Sequence, residues 1–200
     1  MFICDNFAAG ARNDVNGAGR FPMVAKRADA DFYECVDKKG RQLDIYEIQE
    51  ASDGTAGDVF MGYWCPYEID KTRYVTLTGT ADYMFTATMD GCSFGIGTAA
   101  SDGTITVSHS NSAKDDTANS HTPMIDAQKR KLRSLLGKKS KVFDPTDYRT
   151  RGFFNKKADV SAMTLGIRDG RKWKFYAHRF RKDYGGTTVR YILYETVKLN

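Results

Sequence analysis

The stretch that decides the fold of this 200-residue chain covers residues 83–109 and reads YMFTATMDGCSFGIGTAASDGTITVSH. Apolar and β-branched residues alternate with small or polar ones on both sides of a glycine-rich centre, a pattern typical of two strands joined by a turn. Asp102-Gly103 is a strong reversal signal. The stretch therefore predicts a β-hairpin, with its first strand within 83–97 and its second over 104–109.

Two registers are compatible with this hairpin. With a loop over 97–104, Cys92 lies directly opposite His109, and opposed β-carbons are about 4.5–5.5 Å apart, so that a thiol and an imidazole can share a proton. A two-residue turn at 102–103 keeps the same faces but slides Cys92 four residues away from His109, or about 13 Å along the strand. The sequence leaves both registers open.

The rest of the chain also favours strands. Runs rich in β-branched and aromatic residues, bounded by turn formers, predict strands over 43–48, 73–80, 163–167, 172–180 and 188–197. One helix is predicted over 123–136, because Thr122 can cap it, proline suits its first turn and Gly137 ends it. The elements predict an α+β fold, as a β-sandwich or a curled mixed or antiparallel sheet with one or two flanking helices.

Composition limits the class of protein. With 41% hydrophobic and 28% charged residues the chain is expected to be globular, as a single domain over 1–200 whose first 30 residues form an irregular or mobile entry. No run approaches the roughly 18 apolar residues of a membrane helix, and the start lacks the pattern of a signal peptide. The four cysteines form no CxxC pair, so we expect reduced thiols, no metal and no cofactor.

Cys92 and His109 form the one constellation that suggests catalysis. A cysteine nucleophile acts as a thiolate, and a neighbouring imidazole can take its proton. Gly91 permits an unusual backbone angle, which suits amides that point toward a developing oxyanion. The simpler interpretation is a buried structural cysteine beside a glycine that marks a bulge.

The run YMFTATMDGC over 83–92, followed by a strand that ends at His109, resembles the catalytic stretch of Burkholderia lethal factor and of the cytotoxic necrotizing factor deamidases. In that superfamily a strand with a threonine leads into a Leu-Ser-Gly-Cys type motif, and a later strand supplies a histidine. The resemblance covers about an eighth of the chain. The matching residues are Phe85-Thr86 and Gly91-Cys92, and the departures are Met89 for the leucine and Asp90 for the serine.

This resemblance implies a β-sandwich with flanking helices and a bacterial toxin or effector that deamidates a glutamine of a protein substrate. Cys92 would be the nucleophile, His109 the base, Thr86 a hydroxyl that orients the substrate carboxamide, and Gly91 would shape the oxyanion site. Such a protein would be made in the bacterial cytoplasm and act in the cytosol of a host or target cell. Asp90 should disfavour a thiolate at Cys92 unless its charge is paired or directed away.

Other activities stay open at this stage. The same Cys-His pair could serve a protease or a transglutaminase. The run over 171–182 interleaves cations with aromatics, which could serve a nonenzymatic nucleic-acid-binding module, although a half-buried strand with a basic solvent face is the simpler interpretation. Neither a nucleic acid nor a membrane is an expected partner. His121 and His178 are expected at the surface, and Cys65 is expected to be structural.

Overall fold

The computed structural model describes residues 1–3, 19–117, 120–149 and 160–200. Two α-helices lie in these residues, α1 (Thr122–Leu136) and α2 (Pro145–Tyr148). No helix in the described ranges is both long and apolar enough to cross a membrane. The strands are β1 (Phe2–Ile3), β2 (Arg20–Arg27), β3 (Tyr33–Asp37), β4 (Tyr46–Glu50), β5 (Val59–Cys65), β6 (Thr72–Leu77), β7 (Tyr83–Thr86), β8 (Ser93–Ile96), β9 (Ile105–Ser110), β10 (Lys141–Phe143), β11 (Val160–Asp169), β12 (Lys172–Gly185) and β13 (Thr188–Lys198).

The strands form two sheets. Nine of them form one sheet in the order β1-β4-β2-β5-β7-β11-β12-β13-β3, and the other four form a sheet in the order β10-β8-β9-β6. The large sheet is mixed, because β1 and β4, β5 and β7, and β3 and β13 pair in parallel. The predicted α+β class, with a curled mixed sheet and few helices, is confirmed.

The large sheet curls around its own core. β1 and β3 are its two edges in hydrogen-bonding order. Nevertheless the Cys35 sulfur of β3 lies 3.8 Å from the Met1 sulfur beside β1. Trp64 and Phe180 are fully buried on the inner face of this curl, where they remove large apolar areas from water.

The second core lies between the two sheets. Phe94 of the small sheet packs against Phe175 of β12, with ring centroids 6.2 Å apart. The helix α1 covers the outer side of β8, where the absence of a side chain at Gly95 is required: a β-carbon there would lie 2.6 Å from a Leu136 methyl carbon and 2.9 Å from one of Leu132. The small sheet is therefore held between the large sheet and α1.

Several local expectations need correction. Strands occupy Phe2–Ile3 and Arg20–Arg27, so the irregular entry expected over 1–30 is wrong for them, while residues 4–18 lie outside the described residues. The helix starts with His121 at its N-cap and has no side-chain cap, so the predicted Thr122 cap is wrong. The strands predicted over 163–167, 172–180 and 188–197 are confirmed as β11, β12 and β13, which pair antiparallel in chain order.

Candidate active site

The β8–β9 hairpin has neither of the two predicted registers. Phe94 lies opposite His109, which is a shift of two residues from each alternative. The loop contains its own turn, in which the Gly103 amide donates to the Ala100 carbonyl. A two-residue shift preserves the faces of both strands, so Cys92 and His109 stay on one side of the sheet. The residue that continues the register opposite Cys92 is Asn111.

Side chains from both helices fix the backbone around Cys92. Gly91 has a φ of +92°, the left-handed region that glycine enters at little cost. The Tyr148 hydroxyl accepts from the Gly91 amide and donates to the Cys92 carbonyl, both at 2.9 Å. Gln128 donates to the Gly91 carbonyl and accepts from the Ser93 hydroxyl. Because its amide is already bonded to Tyr148, Gly91 contributes a backbone angle and not an oxyanion donor.

The Cys92 thiol is buried and protonated at neutral pH. Only 3% of the residue is exposed, and this burial raises the pKa of the thiol to about 11. A hydrogen bond of 3.3 Å from the Asn111 side-chain nitrogen acts in the opposite direction, and the charge of Asp90 raises the pKa further. Asp90 forms an ion pair with Arg149, whose positive charge lowers the pKa of the thiol. The carboxylate beside Cys92 is therefore paired.

His109 is a neutral base held in one tautomer. Burial lowers the pKa of its imidazole to about 3. The Thr86 hydroxyl donates to the Cys65 carbonyl at 2.9 Å and lies 2.8 Å from Nδ1 of His109. Since its one proton is given to Cys65, the hydroxyl accepts from Nδ1–H, which leaves Nε2 with a free lone pair. No residue in the described part of the chain bonds to this buried Nε2.

Thr86 therefore has a different role from the one predicted. The side chain is fully buried, and its hydroxyl is bonded to the imidazole and to a carbonyl of β5. The structure thus places it behind His109 and not where it would orient a substrate carboxamide.

Cys92 and His109 are diagonal neighbours. Because Nε2 of His109 has no partner among the described residues, the thiol is not hydrogen-bonded to it. Diagonal neighbours in an antiparallel pair lie about 7–8 Å apart, with their β-carbons somewhat closer. The Tyr67 ring lies beside the imidazole, with a centroid distance of 5.0 Å. The pair therefore shares one buried face of the small sheet without a direct hydrogen bond between its members.

The remaining candidate residues lie elsewhere. His121 is exposed and pairs with Asp116. His178 is more buried than expected, with its Nδ1 2.8 Å from the Thr196 hydroxyl and its pKa lowered to about 4 by burial. Cys65 is fully buried, and burial raises the pKa of its thiol even more than that of Cys92. In the described ranges no group of three or more His, Cys, Asp or Glu side chains could hold a metal ion.

The sequence interpretation missed four residues of the site. Asn111 had a recognisable signal, because it lies two positions after His109 and so on the same face of the strand. Tyr148, Gln128 and Arg149 are distant in sequence from Cys92, and only the tertiary fold brings them to it.

The chain matches no protein-family model and no curated protein.

Proposed function

We propose that this protein is a Cys-His amide hydrolase that deamidates a glutamine side chain of a protein substrate. One observation carries the proposal: His109 is a neutral base whose Thr86 partner leaves Nε2 free, and it shares a buried face with the Cys92 thiol. The resemblance of 83–92 to the lethal factor motif supports the same residues. The deamidase would act on a protein of a host or target cell.

The reaction requires no cofactor. The Cys92 sulfur attacks the carboxamide carbon and forms the carbon–sulfur bond, while the thiol proton passes to Nε2 of His109. The imidazolium then protonates the leaving nitrogen, the carbon–nitrogen bond breaks and ammonia departs. Water attacks the thioester, its proton returns through His109 to the sulfur, and the product is glutamate.

The pKa values fit a pair that is uncharged at rest. With the thiol pKa raised to about 11 and the imidazole pKa lowered to about 3, proton transfer before attack is strongly disfavoured. The proton therefore moves as negative charge leaves the sulfur for the substrate oxygen. Thr86 supports this step because it fixes the tautomer and orientation of the base. The third residue of a catalytic triad has the same role.

The closed shape of the site favours a side-chain amide over a backbone amide. Cys92 is 3% exposed and His109 is 1% exposed. A glutamine carboxamide stands at the end of a slim, unbranched side chain and therefore needs little room beside the buried thiol. A backbone amide carries chain in both directions, which favours deamidation over proteolysis at this thiol.

The structure offers little support for the nucleic-acid alternative. Trp173 and Phe175 of β12 are buried between the sheets, where they cannot stack on bases. Lys174 pairs with Asp169, and Arg179 pairs with a carboxylate of β13. These contacts favour the simpler interpretation of this strand as part of the sheet.

A proteomic comparison tests the proposal. Cell lysate is incubated with wild type, Cys92→Ala or the matched control Cys35→Ala, which removes an equally buried thiol from the other core. Peptides are then searched for conversion of Gln to Glu. We expect the conversion with wild type and Cys35→Ala and its loss with Cys92→Ala. Equal conversion by Cys92→Ala would refute the proposal.

A further inference from the structure

Asn111 occupies the position opposite Cys92 that one of the two predicted registers gave to His109. The observed register puts it opposite Cys92, and its side-chain nitrogen lies 3.3 Å from the Cys92 sulfur. The residue is 7% exposed, so water competes little for this contact. The uncharged Asn111 side chain therefore donates a hydrogen bond directly to the Cys92 sulfur.

The orientation of the Asn111 amide is determined by its other partners. Its Oδ1 accepts from the backbone amides of Asp70 and Ala113, both at 3.0 Å. An oxygen is required on that side, because a side-chain NH₂ group there would face two N–H donors. The NH₂ group must therefore point at the sulfur.

We propose that Asn111 is a further catalytic residue, whose amide stabilises the negative charge that develops on the Cys92 sulfur as its proton leaves. The inference rests on the proposed function, because it concerns the same nucleophile. A donor bonds more strongly to a charged sulfur than to a neutral thiol, so the contact strengthens as the reaction begins. A buried thiolate without such a donor would bear the full cost of desolvation.

Other ionisable groups around the sulfur also affect the pKa of the thiol and must stay unchanged in the test. Asp90 and Arg149 act on the thiol through their charges, and the two tyrosines Tyr67 and Tyr148 interact electrostatically with it. His109 is uncharged near neutral pH. Substitutions at 111 leave all five in place.

Alkylation of Cys92 by iodoacetamide, followed by peptide mass spectrometry across a range of pH, measures its thiolate population without any substrate. Asn111→Asp is the main variant: it retains an acceptor for Asp70 and Ala113 and replaces the donor by a carboxylate. Asn111→Ala removes the donor without adding charge. Ser112→Ala is the matched control on the neighbouring residue.

We expect Asn111→Ala to reduce the alkylation rate below the thiol pKa roughly tenfold or more, and Asn111→Asp to reduce it further. Ser112→Ala should follow the wild-type profile. Profiles of both Asn111 variants that coincide with wild type would overturn the inference while leaving the deamidase proposal intact. If the alkylation profiles of the Asn111 variants are shifted but wild type converts no Gln to Glu, the deamidase proposal is refuted while the effect of Asn111 on the thiol stands.

Discussion

Acidification from about pH 7 to about pH 5 should destabilise the protein through two buried histidines. The pKa of His109 is about 3 in the folded state against an ordinary value of 6.5, and that of His178 is about 4. Because both folded pKa values are lowered, the histidines contribute stability above pH 6.5 that is lost as the pH falls toward the folded values. At about pH 5 only the unfolded chain has taken up these protons. Each histidine then lowers the free energy of unfolding by ~2 kcal/mol, because each pH unit below the unfolded pKa contributes about 1.4 kcal/mol.

Urea unfolding at the two pH values measures this effect. We expect the free energy of unfolding of wild type to fall by ~4 kcal/mol, and that of His109→Gln or His178→Gln to fall by about half as much. Because each variant is compared with itself at the two pH values, the pH-independent effect of the substitution on the free energy of unfolding cancels. Carboxylates with lowered pKa values, such as Asp37 and Glu68, lose their stabilising contribution only at lower pH. An unchanged pH response in His109→Gln would show that this imidazole is not held neutral.

Three further predictions concern the site. Thr86→Val should slow deamidation roughly tenfold or more, because Nδ1 loses its acceptor, whereas Thr86→Ser should retain most activity; equal rates for the two variants would contradict the role of the hydroxyl. Tyr148→Phe should lower the free energy of unfolding by roughly 2 kcal/mol, because the Gly91 amide and the Cys92 carbonyl lose their partner. A urea midpoint equal to that of wild type would show that these two hydrogen bonds do not stabilise the fold. Iodoacetamide should label Cys92 at a rate that rises until about pH 11, and should label Cys65 more slowly throughout. Faster labelling of Cys65 would exclude Cys92 as the more acidic thiol.

The sequence predicted the strands better than their alignment. Alternation of apolar and polar residues is a local property, so the strands of the β8–β9 hairpin and the three C-terminal strands were found. The register depends on the loop between β8 and β9, whose internal turn at 100–103 is not determined by the Asp102-Gly103 signal alone. The error of two residues preserved the buried faces and changed only which side chain lies opposite Cys92.

The site shows the same division. Cys92, His109 and Thr86 were predicted as candidates from one short stretch, because they lie within 24 residues of each other in the chain. The role of Thr86 was not, because its partners come from β5 and β9. The strand β5 itself was not predicted, although it extends to Cys65 and ends immediately before the proline.

Capture of the thioester by an added amine tests the central claim most directly. A biotinylated primary amine is supplied in excess with lysate, so that it competes with water for the acyl group on Cys92 and becomes attached to the target glutamine. We expect biotin to be incorporated with wild type and Cys35→Ala, and to be lost with Cys92→Ala and with His109→Ala. Incorporation that survives Cys92→Ala would contradict the account, because no thioester at that sulfur could then be its source.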